Sequence, residues 1–209
     1  MSESKPKGPF ILGLTGSIGM GKSAVAAMLR GLGVPVFDAD AAVHELQGPG
    51  GALLPMIEAE FPGTTGPNGV DRPRLGAAVF GDPEKLKKLE AIVHPAVGAM
   101  RAGFLEENAD KPLIVFDIPL LFEKGGFDMI DAVAVVSASP EQQRARVLAR
   151  PGMTVEKFEQ ILKLQVPDAE KRSRADYVID TGVSLAETRH AVQALVHQLT
   201  TPKDKDDRR

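Results

Sequence analysis

The chain has no cysteine, no tryptophan and a single tyrosine among its 209 residues. Without cysteine there are no disulfide staples, no thiolate nucleophile and no cysteine-ligated zinc. The same absence fits a cytoplasmic protein, since that compartment keeps thiols reduced. Nine phenylalanines make up almost the whole aromatic complement, a poor supply of the stacking platforms that single-stranded nucleic acid needs. Neither sign of charge dominates. Twenty-five basic side chains face 28 acidic ones, for a net charge of −3, which argues against a nucleic-acid-coating protein. Long apolar runs are missing too: the longest reach about half the ~20 residues that span a bilayer. The polar start Met1–Lys7 lacks the apolar stretch of a signal peptide. No nucleic-acid or membrane partner is therefore expected.

What is present is a globular composition, 43% hydrophobic and 25% charged. The length suits one domain, or a core with one sizeable insertion. Residues 1–9 and the charged tail 201–209 are expected to be flexible. No heptad or exposed apolar stripe stands out, so a monomer is expected.

Short apolar runs alternate with segments of helical character. The runs are Phe10–Leu14, Val34–Phe37, Leu113–Phe116, Ala132–Val136 and Tyr177–Ile179. They lack polar alternation, as strands buried on both faces do. Strands separated by helices predict an α/β fold with a parallel sheet of five strands. Ser139-Pro140 and Asp82-Pro83 mark helix starts, and Ser184 to Glu187 forms a capping box. More than seventy residues separate Asp38 from Lys111, where a simple crossover needs about a dozen. The excess predicts a mostly helical insertion over 47–111, with two helices split at His94-Pro95. The core then comprises 10–46 and 112–200, with a basic lid segment near 146–175.

The strongest motif is Gly16-Ser17-Ile18-Gly19-Met20-Gly21-Lys22-Ser23, which fits G-x-x-x-x-G-K-[ST] between a predicted strand and a predicted helix. Its glycines let backbone amides close around phosphate at a helix N-terminus. Lys22 reaches the β- and γ-phosphates, and the Ser23 hydroxyl is placed to ligate Mg²⁺. The expected ligand is ATP with Mg²⁺.

A guanine-reading Asn-Lys-x-Asp is absent. A helical insertion and an arginine-rich segment after the fourth strand point to a small-molecule kinase whose lid excludes water. Asp38 and Asp40 follow the second strand. Either carboxylate could cap a helix, and one facing the acceptor could take its hydroxyl proton. Asp40 is favoured as that base. Asp117 ends an apolar run in the manner of a Mg²⁺-linked carboxylate, and Glu123 follows it with either a substrate or a surface role. Arg146 and Arg150, four residues apart, are expected on one helix face, where they suit a phosphoryl group or form a solvated stripe. His94 reads by itself as a packing or capping residue.

Together these pieces resemble one family, the dephospho-CoA kinases. The matching segments are Gly13 to Ser23, Asp38-Ala39-Asp40, Asp71-Arg72, Leu89 to Pro95, Pro119 to Glu123, Arg146 with Arg150, and Arg174 to Asp180. They appear in family order over about residues 10–198. The resemblance implies a three-layer P-loop kinase fold with a five-stranded parallel sheet, a helical substrate-binding insertion and a lid. It implies ATP-dependent phosphorylation of the ribose 3′-hydroxyl of dephospho-CoA, giving coenzyme A and ADP. Asp40 would be the base, assisted by Lys22 and Arg146. Residues 16–23, Arg146, Arg150, Asp180 and Gly182 would hold ATP. Thr15, Asp40, Arg72, His94 and Glu123 would face dephospho-CoA. Ser17, Met20 and the Pro151 that follows Arg150 depart from the family's usual residues, the last at the lid hinge. A kinase of another acceptor, such as a nucleoside monophosphate, shares every P-loop argument, and a non-catalytic nucleotide-binding module is the reading of a different class.

Overall fold

A computed structural model describes residues 8–201, so the expected flexible ends lie almost wholly outside the described residues. In chain order the elements are β1 (Phe10–Thr15), α1 (Lys22–Gly31), β2 (Val36–Asp38), α2 (Ala39–Gln47), α3 (Leu54–Glu60), β3 (Thr65–Gly66), β4 (Gly69–Val70), α4 (Arg72–Val79), α5 (Pro83–Glu107), β5 (Leu113–Asp117), α6 (Leu121–Lys124), β6 (Ala132–Ser137), α7 (Pro140–Leu148), α8 (Val155–Lys163), α9 (Asp168–Ser173), β7 (Tyr177–Asp180) and α10 (Leu185–Thr200). The chain divides into two compact units, the second being Asp38–Glu107 and the first the remainder.

The first unit is built on a five-stranded sheet of order β2-β5-β1-β6-β7. β1 pairs in parallel with β5 and β6, and β6 with β7. The strand order reverses around β1, the switch point at which open α/β sheets place their ligands. Both faces are covered, and β6 shows it residue by residue. Ala132, Ala134 and Val136 join Leu12, Leu14 and residues of α1 and α10 in one core cluster. Val133 and Val135, pointing the other way, join Leu121 of α6 in another. Every residue of β6 is buried, which is why the run has no polar alternation. Phe37 meets Phe116 edge to face, with ring centroids 5.9 Å apart.

The second unit has its own core of Leu46, Leu53, Ile57, Phe61 and Leu75. Leu46 explains why α2, expected in the first unit, belongs here: its buried side faces this core. The hairpin of β3 and β4 was not anticipated, although Asn68-Gly69 carries its turn signal. The expected break at His94-Pro95 is absent, because α5 runs unbroken through Pro95. Leu89, Ile92, Val93, Ala96, Val97 and Met100 all pack on the second core. Their spacing of three and four is one helical stripe that continues past the proline. Packing along that stripe outweighs the hydrogen bond that proline deletes.

Candidate active site

β1 ends at fully buried Thr15, whose hydroxyl donates to the Pro119 carbonyl at 3.2 Å. The chain then winds through residues 16–21 and enters α1 at Lys22. Gly21 stands at the N-cap with φ of 85°, and no side chain caps the helix. Gly19 also has positive φ, 78°, a conformation costly for residues with a Cβ. Space is equally restrictive. A side chain at Gly19 would come within 3.0 Å of the Gln143 carbonyl, and one at Gly16 within 2.9 Å of that of Val136. The motif glycines are thus demanded by β6 and α7 as well as by the loop's own turn. The result is an uncapped helix start at the carboxyl edge of the sheet, an arrangement that attracts phosphate.

Neutral side chains hold the loop in shape. Ile18 is gripped on both sides of its backbone: its N–H donates to Gln165 Oε1 at 3.1 Å, and its carbonyl accepts from Gln143 Nε2 at 2.8 Å. The Met20 carbonyl accepts from the Thr181 hydroxyl at 2.7 Å. Ser17 is buried, and its Oγ has no hydrogen-bond partner among the described residues.

Charge is concentrated around this loop. Lys22 is ion-paired with Asp117, which is 3% exposed at the end of β5. Ser23 is exposed in the first turn of α1. Its hydroxyl and the Asp117 carboxylate are hard oxygen donors of the type Mg²⁺ takes. Arg146, half-buried on α7, donates to the Thr181 carbonyl at 2.6 Å and to the Thr181 hydroxyl at 3.2 Å. Asp180 accepts from the Gly182 amide at 2.7 Å, and the Gly182 carbonyl accepts from Gln142 at 2.7 Å.

Two expectations about this region change. Arg150 does not share a helix face with Arg146. α7 ends at Leu148, the Arg150 amide closes a tight turn onto Val147 at 3.1 Å, and the side chain is exposed. Pro151 disfavours helical backbone in the residue before it. Glu123, expected beside substrate, is engaged by protein. Its Oε1 lies 2.7 Å from Lys171 Nζ and accepts the Val166 amide at 2.9 Å. Burial pushes the carboxyl up, but the Lys171 hydrogen bond and the Val166 amide outweigh it, so the group sits below the ordinary glutamate value.

The remaining predicted residues lie in the second unit. Asp38 caps α2, accepting the Ala41 amide at 2.9 Å. That leaves Asp40, exposed in the first turn, free of the capping task. Its backbone carbonyl, not its carboxylate, meets His44 Nδ1 at 2.8 Å. Arg72 opens α4 and is exposed, with Asp71 as the cap. His94 is exposed on α5. No helix of the described residues is long and apolar enough to cross a membrane.

A family model described as dephospho-CoA kinase matches residues 10–187. The chain belongs to the dephospho-CoA kinase family. It is 71% identical over 191 residues to the dephospho-CoA kinase of Novosphingobium aromaticivorans, covering 91% of this chain and 95% of that one. Among solved structures, it resembles TT1252 of Thermus thermophilus with a TM-score of 0.81 and 38% identity, over 93% of this chain and all of the other. The dephospho-CoA kinase of Campylobacter jejuni, 24% identical, shares the fold at a TM-score of 0.61 over 91% of this chain and 97% of that one. The family is one of ATP-dependent kinases on the P-loop fold. Gln143, Gln165 and Thr181, which grip the loop in this family member, were not singled out from sequence. For Gln143 and Gln165 the hint was position, beyond the carboxyl end of a strand or within the lid segment, and Thr181 lies between Asp180 and Gly182, which were expected to hold ATP.

Proposed function

We propose that the protein transfers the γ-phosphoryl group of ATP to the ribose 3′-hydroxyl of dephospho-CoA, giving coenzyme A and ADP. Membership of the family across residues 10–187 carries this reading, and the uncapped, glycine-built start of α1 supports it. The triphosphate lies on the amides of residues 16–23, with Lys22 moving from Asp117 to the phosphates. Ser23, with Asp117, would hold Mg²⁺, which when bound neutralises charge on the β- and γ-phosphate oxygens. Asp40 accepts the 3′-hydroxyl proton as that oxygen bonds to phosphorus and the bond to the β-phosphate oxygen breaks. Asp38, by taking the cap, leaves Asp40 available for the task. Arg146, with Lys22, stabilises charge on the transferring group. Asp180 and Gly182 lie by the adenine, with Arg150 on the closing lid. Thr15, Arg72, His94 and Glu123 belong to the acceptor side, Glu123 as a brace for that wall. The proposal includes action as a cytoplasmic monomer with no nucleic-acid or membrane partner, in line with the near-balanced charge of the sequence.

The test is ADP release with dephospho-CoA set against nucleoside monophosphates and sugars. Release with dephospho-CoA alone is expected, and preference for another acceptor would overturn the assignment. Asp40→Asn should keep ATP binding and lose about two to four orders of magnitude in turnover. A wild-type rate would reject Asp40 as the base.

A further inference from the structure

We propose that Thr181 is a positioning residue that fixes Arg146 in register with the phosphate-binding loop; the proposal rests on the reading of Arg146 as a nucleotide contact. A threonine hydroxyl has one proton to give and lone pairs to accept. Here the proton points to the Met20 carbonyl at 2.7 Å, the nearer of two acceptors, with the Ser137 carbonyl at 3.2 Å, and the oxygen accepts from Arg146 Nη1 at 3.2 Å. The backbone completes the joint. The Thr181 carbonyl accepts from Arg146 Nη2 at 2.6 Å, and its N–H donates to the Ser137 carbonyl at 2.8 Å. Thr181 also lies against Gly21, where an added Cβ would be 3.1 Å from its hydroxyl. One side chain, only 7% exposed, thus joins the end of β6, the loop at Met20 and Gly21, and the guanidinium. The backbone bond would hold Arg146 near the strand end whatever residue stood at 181. Among the described residues, the hydroxyl is what ties the guanidinium to the loop itself. Threonine also gives that tie without adding a charge.

The experiment measures steady-state kinetics with ATP and dephospho-CoA for wild type, Thr181→Val, Thr181→Ser and Arg146→Lys, and for the Val variant combined with Arg146→Lys. Thr181→Val keeps the shape and removes the hydroxyl. It should lower kcat about tenfold or more, the scale of a lost hydrogen bond to a charged group, and leave KM for dephospho-CoA within about twofold. Thr181→Ser, which keeps the hydroxyl, should restore most of kcat. In the Val background, Arg146→Lys should cost much less than in wild type, because coupled residues are not additive. A merely structural role would lower the melting temperature, leave kcat per folded molecule unchanged and give additive effects; that result overturns the proposal. If Thr181→Val fails to fold, Thr181→Ala carries the same comparison. A wild-type rate for Arg146→Lys and Arg146→Ala would overturn the reading of Arg146, and the proposal with it. An impaired Arg146→Ala beside an unimpaired Thr181→Val overturns the tether alone. Dephospho-CoA-dependent ADP release by the wild type, measured first, keeps both outcomes apart from failure of the substrate assignment.

Discussion

Glu123→Gln tests whether Glu123 braces the fold or binds substrate. The Lys171 side chain is 0% exposed and Glu123 is 10% exposed, with 2.7 Å between their charged atoms. Glutamine keeps an oxygen for the Val166 amide but removes the countercharge, leaving a buried ammonium without its partner. Breaking a buried pair in this way costs about 3–5 kcal/mol. For a chain of this size the loss corresponds to a fall of about 6–20 °C in melting temperature. Urea unfolding at pH 7 measures it. Replacing both partners, Glu123→Gln with Lys171→Met, should restore much of the loss, because no buried charge is then left alone. The pH arm has a definite sign. The folded carboxyl titrates below its ordinary value of 4.5, so its contribution is complete above that pH and disappears as pH falls through the folded value. The gap between wild type and Glu123→Gln should therefore narrow in acid. A variant within about 1 kcal/mol of wild type at pH 7, with a raised KM for dephospho-CoA, would refute the bracing role in favour of a substrate contact.

Two further outcomes follow from the geometry. Pro95 is exposed inside α5, so Pro95→Ala should restore a helical hydrogen bond and stabilise the protein by about 1–3 kcal/mol; a denaturant midpoint that stays or falls would contradict this. Gln165→Glu keeps an acceptor for the Ile18 amide but adds a negative charge beside the phosphate loop. At about 8 Å and an effective dielectric of 20, two like charges cost ~2 kcal/mol, so KM for ATP should rise about tenfold or more, and an unchanged KM would show that Gln165 lies too far from the phosphates to matter electrostatically.

The five strands show where sequence reading succeeds and where it stops. Each apolar run was legible, and each strand continues one residue beyond its last apolar side chain. The extra residues are Thr15, Asp38, Asp117, Ser137 and Asp180. Hydrophobic pattern reports burial in the core, so it ends where the backbone ladder still continues into polar surroundings. Three of those polar ends make the contacts described above: Asp117 pairs with Lys22, Asp38 caps α2, and the Ser137 carbonyl accepts the Thr181 amide. The phosphate loop was legible because its glycines are fixed by backbone geometry within eight consecutive residues. Gln143, Gln165 and Thr181 were not, because each is separated from its loop partner by more than a hundred residues and none carries a local pattern. Arg150 was misplaced for a local reason, the proline after it, and α5 for a tertiary one, the stripe that packs through Pro95.

The chemistry of those three hidden residues follows from what the loop must bind. A carboxylate could grip the Ile18 amide as well as Gln165 does, but it would add negative charge beside a triphosphate. A lysine could satisfy the Ile18 carbonyl in place of Gln143, but its strongly hydrated charge would compete for water and for phosphate alike. Amides and a hydroxyl fix the backbone with neutral hydrogen bonds and leave the local field to Lys22, Arg146 and the start of α1. Asp117, a buried carboxylate beside the loop, is paired with Lys22. Shape is therefore supplied by neutral groups and attraction by charged ones. A substitution in the neutral set should then be read in the geometry of transfer, and the loss of a charge at Lys22 or Arg146 in the rate of transfer as well as in the affinity for ATP.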